Sequence, residues 1–128
     1  MKIASLIARY LLGLGFLLFG SNGFLHFIPQ PPMPPGMAKD YVTVLMASHY
    51  MLPVSALEVV AAILLLANRY VPFALTLLGP ILVNILIFHV AMQPAGLPLA
   101  AIFVILWFLV FASVRSAFSG LFQNQVQN

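Results

Sequence analysis

One carboxyl group lies inside a long apolar segment of this chain. Glu58 falls within Pro53–Ala67, whose other residues are apolar apart from Ser55, and Asp40 is the second of the two acidic residues. A carboxylate that leaves water for hydrocarbon loses its solvation, so such a group faces protein, finds hydrogen-bond donors or carries a proton. A carboxyl group in this setting indicates a functional site, with a structural hydrogen bond as the alternative. Glu58 is the first candidate site residue.

Further polar side chains fall at a similar depth. Asn22 and His26 lie four residues apart near the end of the first apolar segment, which predicts one shared helix face. His49 immediately precedes the segment that holds the carboxyl group. Asn84 and His89 lie about 12 Å and about 5 Å from the end of the third apolar segment, at about 1.5 Å per residue. These residues predict a ligand-binding group, although histidines also lie among lipid headgroups and asparagines also join membrane helices.

Arg9 is a secondary candidate, about one turn inside the first apolar segment. Its side chain either extends to the lipid headgroups or makes an internal ion pair or a contact with an anionic ligand. Histidine and glutamate suit zinc, iron or manganese, but the paired ligand spacing of a metal-binding helix is absent, so we predict no metal site. The chain has no cysteine, which excludes thiolate chemistry, and no motif for a covalently held cofactor.

The composition is that of an integral membrane protein. Of 128 residues, 63% are hydrophobic and 5% are charged, and the mean hydropathy is +1.11. A soluble domain carries about a quarter charged residues on its surface, which this chain lacks. The five basic residues are scattered and form no stripe that could follow a phosphate backbone, so nucleic acid is not an expected partner.

The elements that position these residues are predicted to be transmembrane helices. We expect an all-α membrane protein, a four-transmembrane-helix up-down bundle, in which the N-terminal apolar segment is a retained span and not a signal peptide. A proline-rich stretch at 28–36 and a short extra helix at about 37–50 form the first outer loop. The predicted ranges are a single domain at 1–118, spans at about 3–27, 53–67, 72–92 and 99–117, and a polar tail at 119–128.

The basic residues predict the orientation. Four spans place both termini on one side, where Lys2, Arg69 and Arg115 also fall, whereas the other side carries only the Lys39–Asp40 pair. The positive-inside rule then places both termini in the cytoplasm. The candidate residues other than Arg9 therefore lie in the outer half of the bundle, the half away from the cytoplasm.

Two segments resemble the DoxX-like family of small four-helix bacterial membrane proteins. They are RYLLGLGFLLFG at 9–20, and Pro53 followed by EVVAAILLL at 58–66. The chain departs from the family at Ala61–Ala62, where a Gly-Gly pair is frequent, and at Asn22–Gly23, where a Gln-Lys pair is frequent. The resemblance implies a bacterial inner-membrane subunit or accessory protein, in some members linked to quinone-dependent oxidation of sulfur compounds.

Three functions remain open from the sequence. The first is a redox-accessory protein that binds a quinone or a similar amphipathic molecule around Glu58 and receives electrons from a redox-protein partner. The second is a non-enzymatic assembly factor or subunit, with a partner chain or a homo-oligomer. The third is a small transporter or lipid-binding protein. A cavity beside Glu58 lined by Asn84 and His89 would favour ligand binding, whereas a fully hydrogen-bonded Glu58 with no space beside it would favour a structural role.

Overall fold

The described part of the chain is helical throughout. A computed structural model describes residues 2–30 and 32–126, in which five α-helices and no strand are present. The predicted domain, proline-rich loop and tail also include residues 1, 31, 127 and 128, which lie outside the described residues. The helices are α1 (Lys2–Leu25), α2 (Met37–Ala47), α3 (Met51–Ala67), α4 (Val71–Ala91) and α5 (Leu97–Val114). Short 3-10 turns at Pro94–Gly96 and Arg115–Phe118 flank α5.

Several of these helices can cross a membrane. Helix α1, helix α4 and the segment Pro94–Phe118 are long and apolar enough to do so, and the pair α2 and α3, bent by 84°, counts as one more if it is a single span. The prediction of several apolar helices in an all-α membrane protein is therefore confirmed. The helix boundaries differ from the predicted spans by a few residues. Helix α1 ends at Leu25, not Phe27, because His26 has a left-handed backbone (φ 52°).

Glycines let α1 approach α3 closely. A Cβ on Gly20 would lie 3.0 Å from Glu58 Cβ and 3.2 Å from Ser55 O, and one on Gly13 would lie 3.4 Å from Ala62 O. The residue numbers rise along α1 as they fall along α3, so the two helices are antiparallel. Small residues favour such contacts in membranes, because close backbones gain van der Waals attraction that lipid does not otherwise supply.

Aromatic side chains join α5 to its two neighbours. Phe103 packs edge-on against Phe16 and Phe19 of α1, with ring centroids 5.2 and 5.9 Å apart. Trp107 Nε1 donates a hydrogen bond to Leu75 O of α4 at 3.0 Å, and its ring lies against Gly79. Pro80 follows inside the continuous helix α4. Helix α5 is therefore antiparallel to both α1 and α4, and the core lies between the four long helices.

The two ends of this arrangement differ in composition. At the end named here the basic end, α1 and α4 begin and α3 and α5 finish, and Lys2, Arg69 and Arg115 lie there. At the opposite end, the histidine end, His26, His49 and His89 lie at or near helix termini. Of the candidate residues predicted for the outer half, four lie at or near the histidine end: Asn22, His26, His49 and His89. Asn84 and Glu58 lie farther from that end, within α4 and α3.

Candidate functional site

Glu58 lies on the face of α3 that packs against α1. It is 6% exposed, and its Cβ lies beside Gly20, where α1 has no side chain. The neighbouring turn of α3 contributes Ser55, which is 2% exposed and faces Gly23 of α1. The sequence around Glu58 is apolar and forms helix α3. The packing of α3 against α1 then buries most of the Glu58 side chain.

Among residues 2–30 and 32–126, no side-chain hydrogen bond involves the Glu58 carboxyl group. Over the same residues, no side-chain oxygen or nitrogen is both sealed from the surface and without a partner. The carboxyl oxygens of Glu58 must therefore keep a small opening to the protein surface, although most of the side chain is enclosed. A carboxyl group in that position keeps hydrogen-bonding capacity for a molecule that reaches the opening.

Ser55 is a site residue that sequence reasoning missed. It precedes Glu58 by three residues, a spacing that places both side chains on one helix face. That spacing was visible in the sequence, but serine is small and commonly bonds to its own helix, so the residue type carried little signal. The contact with Gly23 is what assigns Ser55 to the α1–α3 interface.

Asn22 and His26 do not share a helix face as predicted. Asn22 Oδ1 accepts a hydrogen bond from the backbone N–H of Ile28 at 2.8 Å, and the His26 backbone N–H donates to Asn22 O at 2.9 Å. His26 lies one residue beyond α1 in the left-handed conformation, and its side chain is exposed. The pair therefore terminates α1 and redirects the chain into the proline-rich loop.

Asn84 and His89 also use local partners. Asn84 is exposed, and its Nδ2 donates to Pro80 O at 2.9 Å. His89 Nδ1 lies 2.8 Å from Ile85 O, and the ring packs against Gly96 and edge-on against Phe88. Each side chain thus binds a carbonyl oxygen of its own helix, and the structure does not bring the two together with Glu58 into one hydrogen-bonded group.

His49 lies between α2 and α3. Its backbone is left-handed (φ 60°) and its side chain is exposed, so the residue forms part of the bend between the two helices. Helix α2 contacts the long helices through Tyr41, whose ring stacks on Phe88 of α4 with centroids 5.4 Å apart. His49 is thereby placed at the histidine end, in the turn that joins α2 to the helix carrying Glu58.

Arg9 makes an internal contact at the opposite end. Its Nη1 donates a hydrogen bond to Leu65 O, in the last turn of α3, and its guanidinium group lies 4.7 Å from the centre of the Tyr10 ring. The last carbonyl groups of a helix lack intrahelical donors and carry partial negative charge, so a cation there is favourable. Arg9 thus ties α1 to the end of α3 instead of only extending to the headgroups.

The described residues contain no group of three or more His, Asp or Glu side chains that could hold a metal ion. Two clefts open at the basic end, and neither is lined by Glu58, Asn84 or His89. The described residues thus offer one largely buried carboxyl group with unused hydrogen-bonding capacity, and neither cleft adjoins it.

No family model, no curated protein and no solved structure matches this chain.

Proposed function

We propose that the chain is a four-span, up-down membrane protein of DoxX-like type in the bacterial inner membrane, with both termini in the cytoplasm. In this arrangement α2 lies in the first outer loop and α3 is the second span. The antiparallel packing of α1 with α3 and α5 supports the topology. The charge difference between the ends supports the orientation, since Lys2, Arg69 and Arg115 gather at one end and the other holds Lys39 beside Asp40.

We further propose that Glu58 binds the polar head of an amphipathic molecule dissolved in the membrane, such as a quinone. The observation that carries this proposal is the largely buried Glu58 side chain, whose carboxyl group makes no hydrogen bond to another described residue. A polar group in that setting costs free energy unless it is hydrogen-bonded, so a function that supplies the missing partner explains why the site tolerates a carboxyl group.

The residues present fit one end of such a ligand. A protonated Glu58 would donate a hydrogen bond to a ligand carbonyl oxygen, and the ionised form would accept one from a ligand hydroxyl group. The predicted donors Asn84 and His89 form local hydrogen bonds, with Pro80 O and Ile85 O respectively. They would have to break these bonds before they could donate to the far end of the ligand. A bound quinone would supply two-electron redox chemistry, and its electrons would come from a partner protein.

An assembly factor or subunit is the second candidate function, and Asn84 favours it. This residue lies on an exposed face of α4 that also carries Val83 and Ile87, within a segment long enough to span the membrane. An amide that faces lipid gains from a hydrogen bond to another transmembrane helix. A partner chain or a second copy of this protein could provide that bond.

The test is to purify the protein in mild detergent and to identify the small molecules that co-purify by mass spectrometry. We expect a quinone-type molecule with the wild type and a lower recovery with Glu58→Gln, because a carboxylate accepts a stronger hydrogen bond from a ligand hydroxyl group than a neutral amide does. The matched control is Asp40→Asn, the same chemical change at an exposed residue of α2. Equal recovery from wild type and Glu58→Gln would refute the quinone proposal.

The same preparations test the second candidate. Loss of a co-purifying protein or of a homo-oligomer in Asn84→Val, with Glu58→Gln unchanged, would assign the function to assembly. The expected result for the ligand-binding function is the opposite pattern, in which Asn84→Val retains the small molecule.

A further inference from the structure

Three basic side chains surround two clefts at the basic end. One cleft has a cavity volume of about 190 Å³ and lies between the start of α1, the α3–α4 turn and the end of α5; its lining includes Lys2, Arg9 and Asn68. The other has a volume of about 350 Å³, and Lys2 and Arg115 contribute to it. Ser5 and Ser113 line both clefts, so the two openings adjoin each other.

The clefts carry an uncompensated positive charge. Three of the five basic residues of the chain line them, and no lining residue is acidic. Asp40 belongs to α2 at the histidine end, and Glu58 lies nine residues, about 13 Å along a helix, before the end of α3. No carboxylate side chain of the described residues therefore neutralises the clefts, and an anion from outside would be attracted to them.

The donors in the clefts suit a phosphate group. Arg9 is held in place by its bond to Leu65 O and presents further N–H groups, since a guanidinium has five. Lys2 and Arg115 add exposed cations, and Asn68 also lines the smaller cleft. Ser5 and Ser113 bond to the carbonyl oxygens of Lys2 and Val110, at 3.1 and 2.6 Å, so their hydroxyl groups are secondary.

The surroundings suit a lipid. A volume of about 190 Å³ would hold about six water molecules at about 30 Å³ each, enough for a phosphate group with some of its hydration. Leu6 lines the smaller cleft and is 47% exposed, and Ile3 beside it is 74% exposed, which offers apolar surface to acyl chains. Basic pockets between transmembrane helices are typical binding sites for anionic lipid headgroups.

We propose that these clefts bind the phosphate group of an anionic phospholipid from the leaflet at the basic end. Arg9 and Lys2 contact the phosphate, Arg115 lies over its outer side, and the acyl chains follow the exposed surface of α1. This lipid site is separate from Glu58 and does not depend on the function proposed there. If these basic residues only set the topology of the chain, the protein would show no preference for an anionic over a zwitterionic phospholipid.

The test is native mass spectrometry of the detergent-solubilised protein with added dioleoylphosphatidylglycerol or dioleoylphosphatidylcholine, which share their acyl chains. We expect one phosphatidylglycerol molecule bound per chain, with at least tenfold preference over phosphatidylcholine. The double variant Lys2→Gln, Arg115→Gln keeps the structural bond of Arg9 and should weaken phosphatidylglycerol binding about thirty-fold, from the known attraction of single basic residues near anionic lipid.

The matched control separates a built site from general surface charge. Arg69→Gln removes an exposed cation at the same end that lines neither cleft, and Arg115→Gln removes one that lines the larger cleft. We expect Arg69→Gln to stay within twofold of wild type and Arg115→Gln to lose several-fold. Equal losses in both variants, or equal binding of the two lipids, would overturn the proposal.

A further arm distinguishes lipid phosphate from free phosphate. Inorganic phosphate at millimolar concentration should not displace the bound phosphatidylglycerol, because it lacks the acyl chains. Displacement, or direct binding of inorganic phosphate that is lost in the Lys2→Gln, Arg115→Gln variant, would assign the clefts to a soluble phosphate and overturn the lipid proposal.

Discussion

At the scale of single residues, Arg9 and Glu58 are both ionisable side chains in apolar helices, but they differ in their hydrogen bonds. Arg9 reaches a partner inside the protein, because Leu65 O at the end of α3 accepts from the Asn68 N–H and keeps a second lone pair for the guanidinium group. Glu58 has no such partner among the described residues, because Gly20 of α1 places no side chain against it. The first side chain therefore stabilises the fold, and the second remains the candidate for function.

Arg9→Gln should lower the free energy of unfolding by about 1.5–3 kcal/mol, since a hydrogen bond of a charged group to the last turn of α3 is weakened or lost. The measurement is reversible unfolding in mixed detergent micelles without added lipid. Arg69→Gln removes an exposed cation at the same end and should stay within about 0.5 kcal/mol of wild type. Equal stability of Arg9→Gln and wild type would contradict the structural role of Arg9.

At the scale of elements, each long helix packs against two others, and the closest backbone approach shown by the glycines is that of α1 to α3. The glycine-bearing face of α1 meets α3, and Gly15 with Phe16 and Phe19 meets Phe103 of α5. Across the bundle, Trp107 joins α5 to α4 beside Pro80. The close approach of α1 and α3 encloses Glu58, so the environment of the candidate site depends on this helix pair.

Gly20→Ala should destabilise the protein by about 1–3 kcal/mol, because the new Cβ would lie 2.9 Å from Val59 Cγ2 and 3.2 Å from Ser55 O, so the helices must separate. The control Gly120→Ala places a Cβ in open space and should stay within about 0.5 kcal/mol of wild type. Thermal unfolding in detergent measures both. A Gly20→Ala variant as stable as Gly120→Ala would show that the α1–α3 contact is looser than described.

At the scale of the whole molecule, charge and polarity divide the chain between two ends. The basic end holds the clefts and the Arg9 contact, and the histidine end holds the three histidines, the proline-rich loop and α2. The two proposed binding sites therefore lie at different depths, with Glu58 inside the bundle and the phosphate site at one membrane surface.

The proposed orientation is testable because the chain has no cysteine. Single-cysteine variants Met37→Cys and Gln123→Cys change exposed, uncharged residues and leave the topology-setting cations in place. In intact cells of a bacterial host with a permeabilised outer membrane, a membrane-impermeant maleimide should label Met37→Cys and spare Gln123→Cys. The reverse pattern would place the termini outside the cytoplasm.

The sequence by itself determined the class of the protein and the depth of its polar residues. A chain with 63% hydrophobic and 5% charged residues needs lipid around it, and apolar runs of about twenty residues give the helices within a few residues of their ends. Glu58 was identifiable as a candidate because a carboxyl group among apolar neighbours is costly wherever the segment packs.

Only the tertiary structure decided which polar side chains meet. Asn22, Asn84 and His89 bind backbone groups of their own segments, since a local carbonyl or N–H group satisfies an amide or imidazole without help from another helix. Arg9 and the clefts involve residues more than fifty positions apart, so periodicity along one helix could not reveal them. Hydropathy predicts how deep each residue lies in the membrane and which face of its helix carries it. The rotation of each helix and its close approach to a neighbour depend on contacts such as that of Gly20 with Glu58.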